Sequence, residues 1–138
     1  MRMSNACTLL VAVVGAFAAL AASAHHAAAV LFLLDQEVEM EGVVTRFNLG
    51  NPHVRVYFRV PGDEQEWMAE GGSRTVLLRN GWTEDMLKAG DTVKLVGHPS
   101  RDGSAIMHME YLHMPDGREL WSEDVPPPDQ LEQMRRRR

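Results

Sequence analysis

Two adjacent histidines, His25 and His26, follow directly on Ala22-Ser23-Ala24, and this junction is where the chain carries its most specific chemistry. Small residues spaced as Ala-x-Ala mark the cut that removes a secretory leader. A cut after Ala24 makes His25 the first residue, so one residue then offers both a free amine and an imidazole. Amine and ring together chelate a copper-type ion, whose divalent form prefers nitrogen donors in a square arrangement. His26 is available as a further ligand, and so is His53 if the terminus folds back over the domain. Position 27 is Ala, so the tighter amine-and-amide chelate of a third-position histidine is absent. The competing reading is that the two histidines are merely small polar residues at a cleavage site and a solvated terminus.

Other candidate residues carry weaker signals. His53 lies in an Asn51-Pro52-His53 turn, where a histidine also serves by bonding a loop carbonyl. His98, just before Pro99, reads as a loop residue. Strand alternation puts Met107, Met109, Tyr111 and His113 on one face, a soft donor set for cuprous copper or, more simply, core packing. Arg55, Tyr57 and Trp67 make a candidate ligand face on a barrel, with Trp82 and Trp121 as core or rim aromatics. No G-x-S-x-G, H-E-x-x-H or phosphate loop occurs, so binding without catalysis is the expectation.

The elements that must position these residues begin with a leader over residues 1–24: Arg2, an apolar run from Ala6 to Leu20, and the cleavage site. Residues 25–36 follow as an N-terminal segment, apolar from Ala27 to Leu34. An uncleaved leader running into that segment would be a membrane anchor, although two histidines inside a span are costly. The lone Cys7 lies in the leader without a lipobox, so the mature chain has no disulfide, zinc-cysteine or covalent haem chemistry. Formal net charge is −5, one unit more acidic once Arg2 leaves, and the terminal run Arg135 to Arg138 holds four of the 14 cations. An acidic body of this kind argues against nucleic acid as a partner.

Residues 37–121 read as a small β domain. Val38, Met40, Gly42 and Val44 alternate with polar positions, and Gly42 marks a sharp bend. Val54, Val56, Phe58 and Val60 form the inward face of a second strand spanning residues 53–60, and a third covers residues 65–70. Ser73 caps a short helix ended by Asn80-Gly81, and Thr83 caps a second helical turn ended by Gly90. Strands over residues 91–97 and 105–114 flank an Asp102-Gly103 turn, and Asp116-Gly117 folds a last hairpin to Trp121. Three strands, a helix, then two or three strands is the order of an OB-like five- to six-stranded barrel, with other small sandwiches as competitors. Residues 122–138, with Pro126-Pro127-Pro128 and the arginine run, read as a disordered tail.

The chain carries in order Ala24-His25-His26, Glu41-Gly42-Val43-Val44, Asn51-Pro52-His53, Gly81-Trp82-Thr83, Leu87-Lys88-Ala89-Gly90-Asp91 and Gly97-His98-Pro99-Ser100-Arg101-Asp102-Gly103. This string resembles a family of small exported bacterial proteins of unknown function. After the histidine pair the family continues into Ser-Phe and an acidic residue, where this chain has Ala27-Ala28-Ala29. The resemblance implies export and a small β fold, and no reaction. The expectation is a periplasmic or secreted binding protein with no assured cofactor, copper being the one considered. The alternative is a cell-envelope module that engages a small ligand or another protein without metal.

Overall fold

The structure, a computed structural model, describes residues 28–122. The cleavage site, His25, His26 and the arginine run lie outside the described residues. Six strands and one short helix follow in order: β1 (Val38–Asn48), β2 (Arg55–Arg59), β3 (Glu66–Glu70), α1 (Arg74–Arg79), β4 (Thr92–Pro99), β5 (Ile106–His113) and β6 (Glu119–Trp121). β1 pairs antiparallel with both β2 and β4, β2 with β3, and β4 with β5. A parallel pairing of β3 with β5 closes the ring, and β6 adds to β5 outside it. That connectivity, with α1 between β3 and β4, is the expected OB-like barrel.

Alternation explains which residues fill it. Val54, Val56 and Phe58 turn inward from β2 and its approach, Ala69 from β3, and Val93 and Leu95 from β4. Arg55, Tyr57 and Arg59 point the other way. β1 is long enough to serve two neighbours because it bends. Gly42 passes so close to β2 that a side-chain carbon there would lie 2.6 Å from Phe58 Cδ2 and 2.9 Å from the Arg59 carbonyl oxygen. Between Val44 and Arg46 the β1–β2 register shifts, so the inward positions pass from Val44 to Phe47 and Leu49.

A second irregularity corrects the expected methionine face. Met107 and Met109 are fully buried in the core. Tyr111 and His113 do not follow them inward, because the β4–β5 register shifts between Val96 and Gly97 and the inward positions become Leu112 and Met114. The residue absorbed by the shift is Glu110, which faces outward beside β4. His98, expected in a loop, is therefore a buried strand residue of β4.

α1 is capped by Ser73, whose hydroxyl accepts from the Val76 amide, and it buries Val76 and Leu77 across one end of the barrel. The expected second helical turn after Thr83 is a plain turn. Thr83 spends its hydroxyl on Asp85 instead of capping a backbone amide. Trp82 fills the core beside α1 and donates its indole N–H to the Trp121 carbonyl at 3.0 Å. Gly72 N–H donates to the Ser122 carbonyl at 3.0 Å, so the end of the described chain seals the start of the helical connection.

The N-terminal segment is part of this fold. After a helical turn at residues 28–31 it crosses the β4–β5 connection as a strap. Phe32 bridges to Ser100, Leu33 N–H donates to the Pro99 carbonyl at 3.0 Å, and Arg101 N–H donates to the Leu31 carbonyl at 2.8 Å.

Candidate functional site

The strap creates a cleft of about 350 Å³ on the outside of the closing β3–β5 seam. Val30, Leu31 and Phe32 form one wall, and Met68 and Ile106 form the floor, where register pairs them across the seam. Glu70 and the turn residues Ser100, Arg101, Asp102 and Ser104 supply the polar rim. Concave sites with apolar walls and a few oriented polar groups are where proteins hold small ligands. In OB barrels the third strand and the loop joining the fourth and fifth are the usual neighbours of the ligand. Val30 and Leu31 remain 69% and 60% exposed, so the strap offers apolar surface that the barrel alone does not cover.

The rim groups differ in how far they are already engaged. Arg101 bends its guanidinium back to the strap, donating from Nη2 to the Ala29 and Phe32 carbonyls at 3.2 Å each. Asp102 Oδ1 accepts from both Ser100 Oγ at 2.6 Å and Ser104 Oγ at 2.7 Å, and from the Ser104 amide at 3.0 Å. These donors, the Ser100 hydroxyl foremost, hold the Asp102 carboxyl down at about 2, well under its ordinary 3.8. Asp102 is thus a fixed anion on the rim, held by two hydroxyls and the Ser104 amide. Glu70 sits between Arg55, whose Nε is 3.3 Å from Oε2, and His53, whose Nδ1 is 3.6 Å from Oε1.

That arrangement places the residues singled out in the sequence. His53 bonds through Nδ1 to the Gly71 carbonyl at 3.2 Å and lies at the edge of the Glu70 cluster. Arg55 and Tyr57 share the outward face of β2, and Arg46 from β1 lies over the Tyr57 ring at 3.8 Å. Trp67 is on the opposite side of β3. It pairs with Phe58, packs against the core and donates its indole N–H to Asp63 at 2.8 Å. Register brings Met68 and Glu70 beside Tyr57 and Arg55 in its place. His25 and His26 lie outside the described residues, and among the described residues no group of three or more His, Cys, Asp or Glu is placed to hold a metal. No described helix is long and apolar enough to cross a membrane.

A second polar cluster went unforeseen. His98 is 9% exposed and has both ring nitrogens engaged: Nδ1 with the Gln36 carbonyl and Nε2 with Glu110 Oε1, each at 2.8 Å. Burial lowers its proton affinity. The Gln36 and Glu110 hydrogen bonds and the charges of Glu110 and Glu37 outweigh that, so its pKa stands above the ordinary 6.5. On the β5 side the His108 ring lies 6.5 Å from His98 and 5.3 Å from Phe32, stacked on both. The signal in the sequence was the string from Gly97 to Gly103. It contains His98, Arg101 and Asp102, but its partners lie on the strap and on β5, far off in sequence.

Comparison with curated proteins returns no match. The profile of a family of unknown function, DUF6152, matches residues 13–108, which take in the histidine pair, the strap, the cleft and four of the five ring strands. The chain belongs to that family.

Proposed function

We propose that this protein is an exported, periplasmic binding module without catalysis of its own, which receives a small amphiphilic ligand in the cleft under its N-terminal strap. The observation that carries this is the cleft itself: about 350 Å³ with Val30, Leu31, Phe32, Met68 and Ile106 as apolar walls and Asp102 as a fixed anion on the rim. Because Arg101 is turned to strap carbonyls, the rim favours a ligand head that donates hydrogen bonds or carries positive charge. Export rests on the leader and the Ala22-Ser23-Ala24 site. The test is calorimetric titration with dodecylammonium beside dodecyl sulfate. Saturable binding of the ammonium, weakened severalfold by Met68→Gln, is expected. Absence of saturable binding, or indifference to Met68→Gln, would remove the cleft as a site.

One observation also favours the copper reading. It lies in the sequence: a cut at Ala22-Ser23-Ala24 leaves His25 as the first residue, with an amine and an imidazole on one residue. Copper titration of protein beginning at His25, beside the same protein with one alanine added in front, separates the two. Tight binding of one ion, lost on the added alanine, identifies an N-terminal site using His25, with His26 or His53 as further ligand. Equal weak binding by both removes it.

A further inference from the structure

The strap that walls the cleft is tied to the barrel in several ways, and one of them runs through a histidine with an acceptor at each ring nitrogen. Leu33 N–H donates to the Pro99 carbonyl and the Leu31 carbonyl accepts from Arg101 N–H, the Arg101 guanidinium caps two strap carbonyls, and Phe32 stacks on His108. The remaining tie is the Gln36 carbonyl, which accepts from His98 Nδ1 at 2.8 Å.

That tie depends on a proton. A neutral imidazole has one N–H and one bare nitrogen, yet His98 faces an acceptor on each side, the Gln36 carbonyl and the Glu110 carboxylate. Only the imidazolium donates to both. When one proton leaves, the other is drawn to Nε2, because a carboxylate is a stronger acceptor than a carbonyl. The bare Nδ1 then confronts the Gln36 oxygen lone pairs, and the contact to the strap becomes repulsive while the contact within the barrel survives. The groups that face His98 from neighbouring elements are Gln36 and Glu37 ahead of β1, and His108 and Glu110 on β5. Glu37 and Glu110 favour the charged ring; a proton on His108 would oppose it.

We propose that His98 and Glu110 form a proton-operated latch that holds the N-terminal strap on the barrel and thereby controls one wall of the binding cleft. This rests on the proposed cleft for its consequence, but the latch can be read without any ligand. With the His98 pKa raised, the docked strap is fully favoured below its ordinary value of 6.5 and is released as pH climbs through the higher folded value. The strap is closed in mild acid and loosened in alkali.

The test is nuclear magnetic resonance of the full chain between about pH 5 and 9, following the His98 ring protons together with amide-exchange protection factors at Leu33 and Leu95. Protection at Leu33 should fall at least tenfold with the same midpoint as the His98 ring, while Leu95 in β4 stays protected. Glu110→Gln, which keeps the shape and removes the charge, should move both midpoints to lower pH together. His98→Gln should abolish the step. A Leu33 protection that shows no step, or a step that persists in His98→Gln or ignores Glu110→Gln, overturns the latch. If the strap steps but dodecylammonium never binds, the cleft reading falls and the latch stands. Binding without a step gives the reverse.

Discussion

Replacing Gly97 by alanine is the sharpest test of how β4 and β5 are held together. Gly97 has ordinary backbone angles, so the substitution carries no conformational strain of its own. Its difficulty is space. An added methyl would overlap the His108 carbonyl oxygen and lie 2.9 Å from the His108 carbonyl carbon and 3.0 Å from Met109 Cα. Carbon atoms rest comfortably at about 3.5–4.0 Å, and the overlap with the carbonyl oxygen is tighter still, so the two strands must part by about 1 Å or more. All three obstacles are backbone atoms of a paired strand, and none can swing aside as a side chain would. Overpacking of this kind costs about 1–3 kcal/mol. Stretching the ladder on either side, at Val96–Tyr111 and His98–His108, forfeits hydrogen bonds worth about 1 kcal/mol each. The sum is about 3–5 kcal/mol, which at a urea slope of about 1–3 kcal/mol/M moves the unfolding midpoint down by about 2 M. Gly103→Ala is the comparison: its φ is +76°, but nothing lies within 4 Å of the new carbon. It should cost only the left-handed backbone term of about 1–2 kcal/mol. A Gly97→Ala midpoint within 0.5 M of the parent, or a Gly103→Ala cost exceeding it, would refute the close approach of β4 to β5.

Three further outcomes are expected. Trp82→Phe removes the indole donor to the Trp121 carbonyl and part of a core side chain, and should cost about 1–3 kcal/mol in urea unfolding. Phe32→Ala removes the ring stacked on His108, so Leu33 amide protection should drop while Leu95 in β4 keeps its own; equal losses at both would mean that the strap and barrel open as one unit. The Asp102 turn should survive acid unusually far. Its carboxyl is held at about 2, so the turn is favoured above the ordinary 3.8 and lost only as pH falls through about 2, which the Ser104 amide shift would report by titrating near 2 and not near 4.

Most of the barrel was legible because its strands obey a period of two. Val54, Val56 and Phe58, or Val93 and Leu95, can face only one core, and the Ser73 cap and Gly-containing turns supply the boundaries. What could not be read were the places where the period slips. The shift at Val96–Gly97 sends Tyr111 and His113 outward and Leu112 and Met114 inward, and strict alternation from Met107 and Met109 cannot announce such a slip. The same slip puts Glu110 against His98, so a residue that looked like loop became a half-buried hydrogen-bonded contact. The face built on Arg55, Tyr57 and Trp67 was half legible: the alternation of β2 joins the first two, but only pairing across β3 shows that Met68 and Glu70 are their neighbours. The strap was visible as an apolar run from Ala27 to Leu34, but nothing local says which surface such a run will cover.

The seal between Gly72 and Ser122 bears on when this chain can fold at all. The core side chain Trp82 leans on the Trp121 carbonyl, Ser122 donates its hydroxyl to the Met109 carbonyl, and the Gly72 amide closes on Ser122. The ring, too, closes only when Ile106, Met107 and His108 reach β3. A growing chain therefore lacks its last stabilising contacts until nearly all of the barrel has been made, because non-local pairings bring no return before their far partners arrive. Such a polypeptide stays extensible through most of its synthesis. It would commit to its shape only once the final strand had followed the rest.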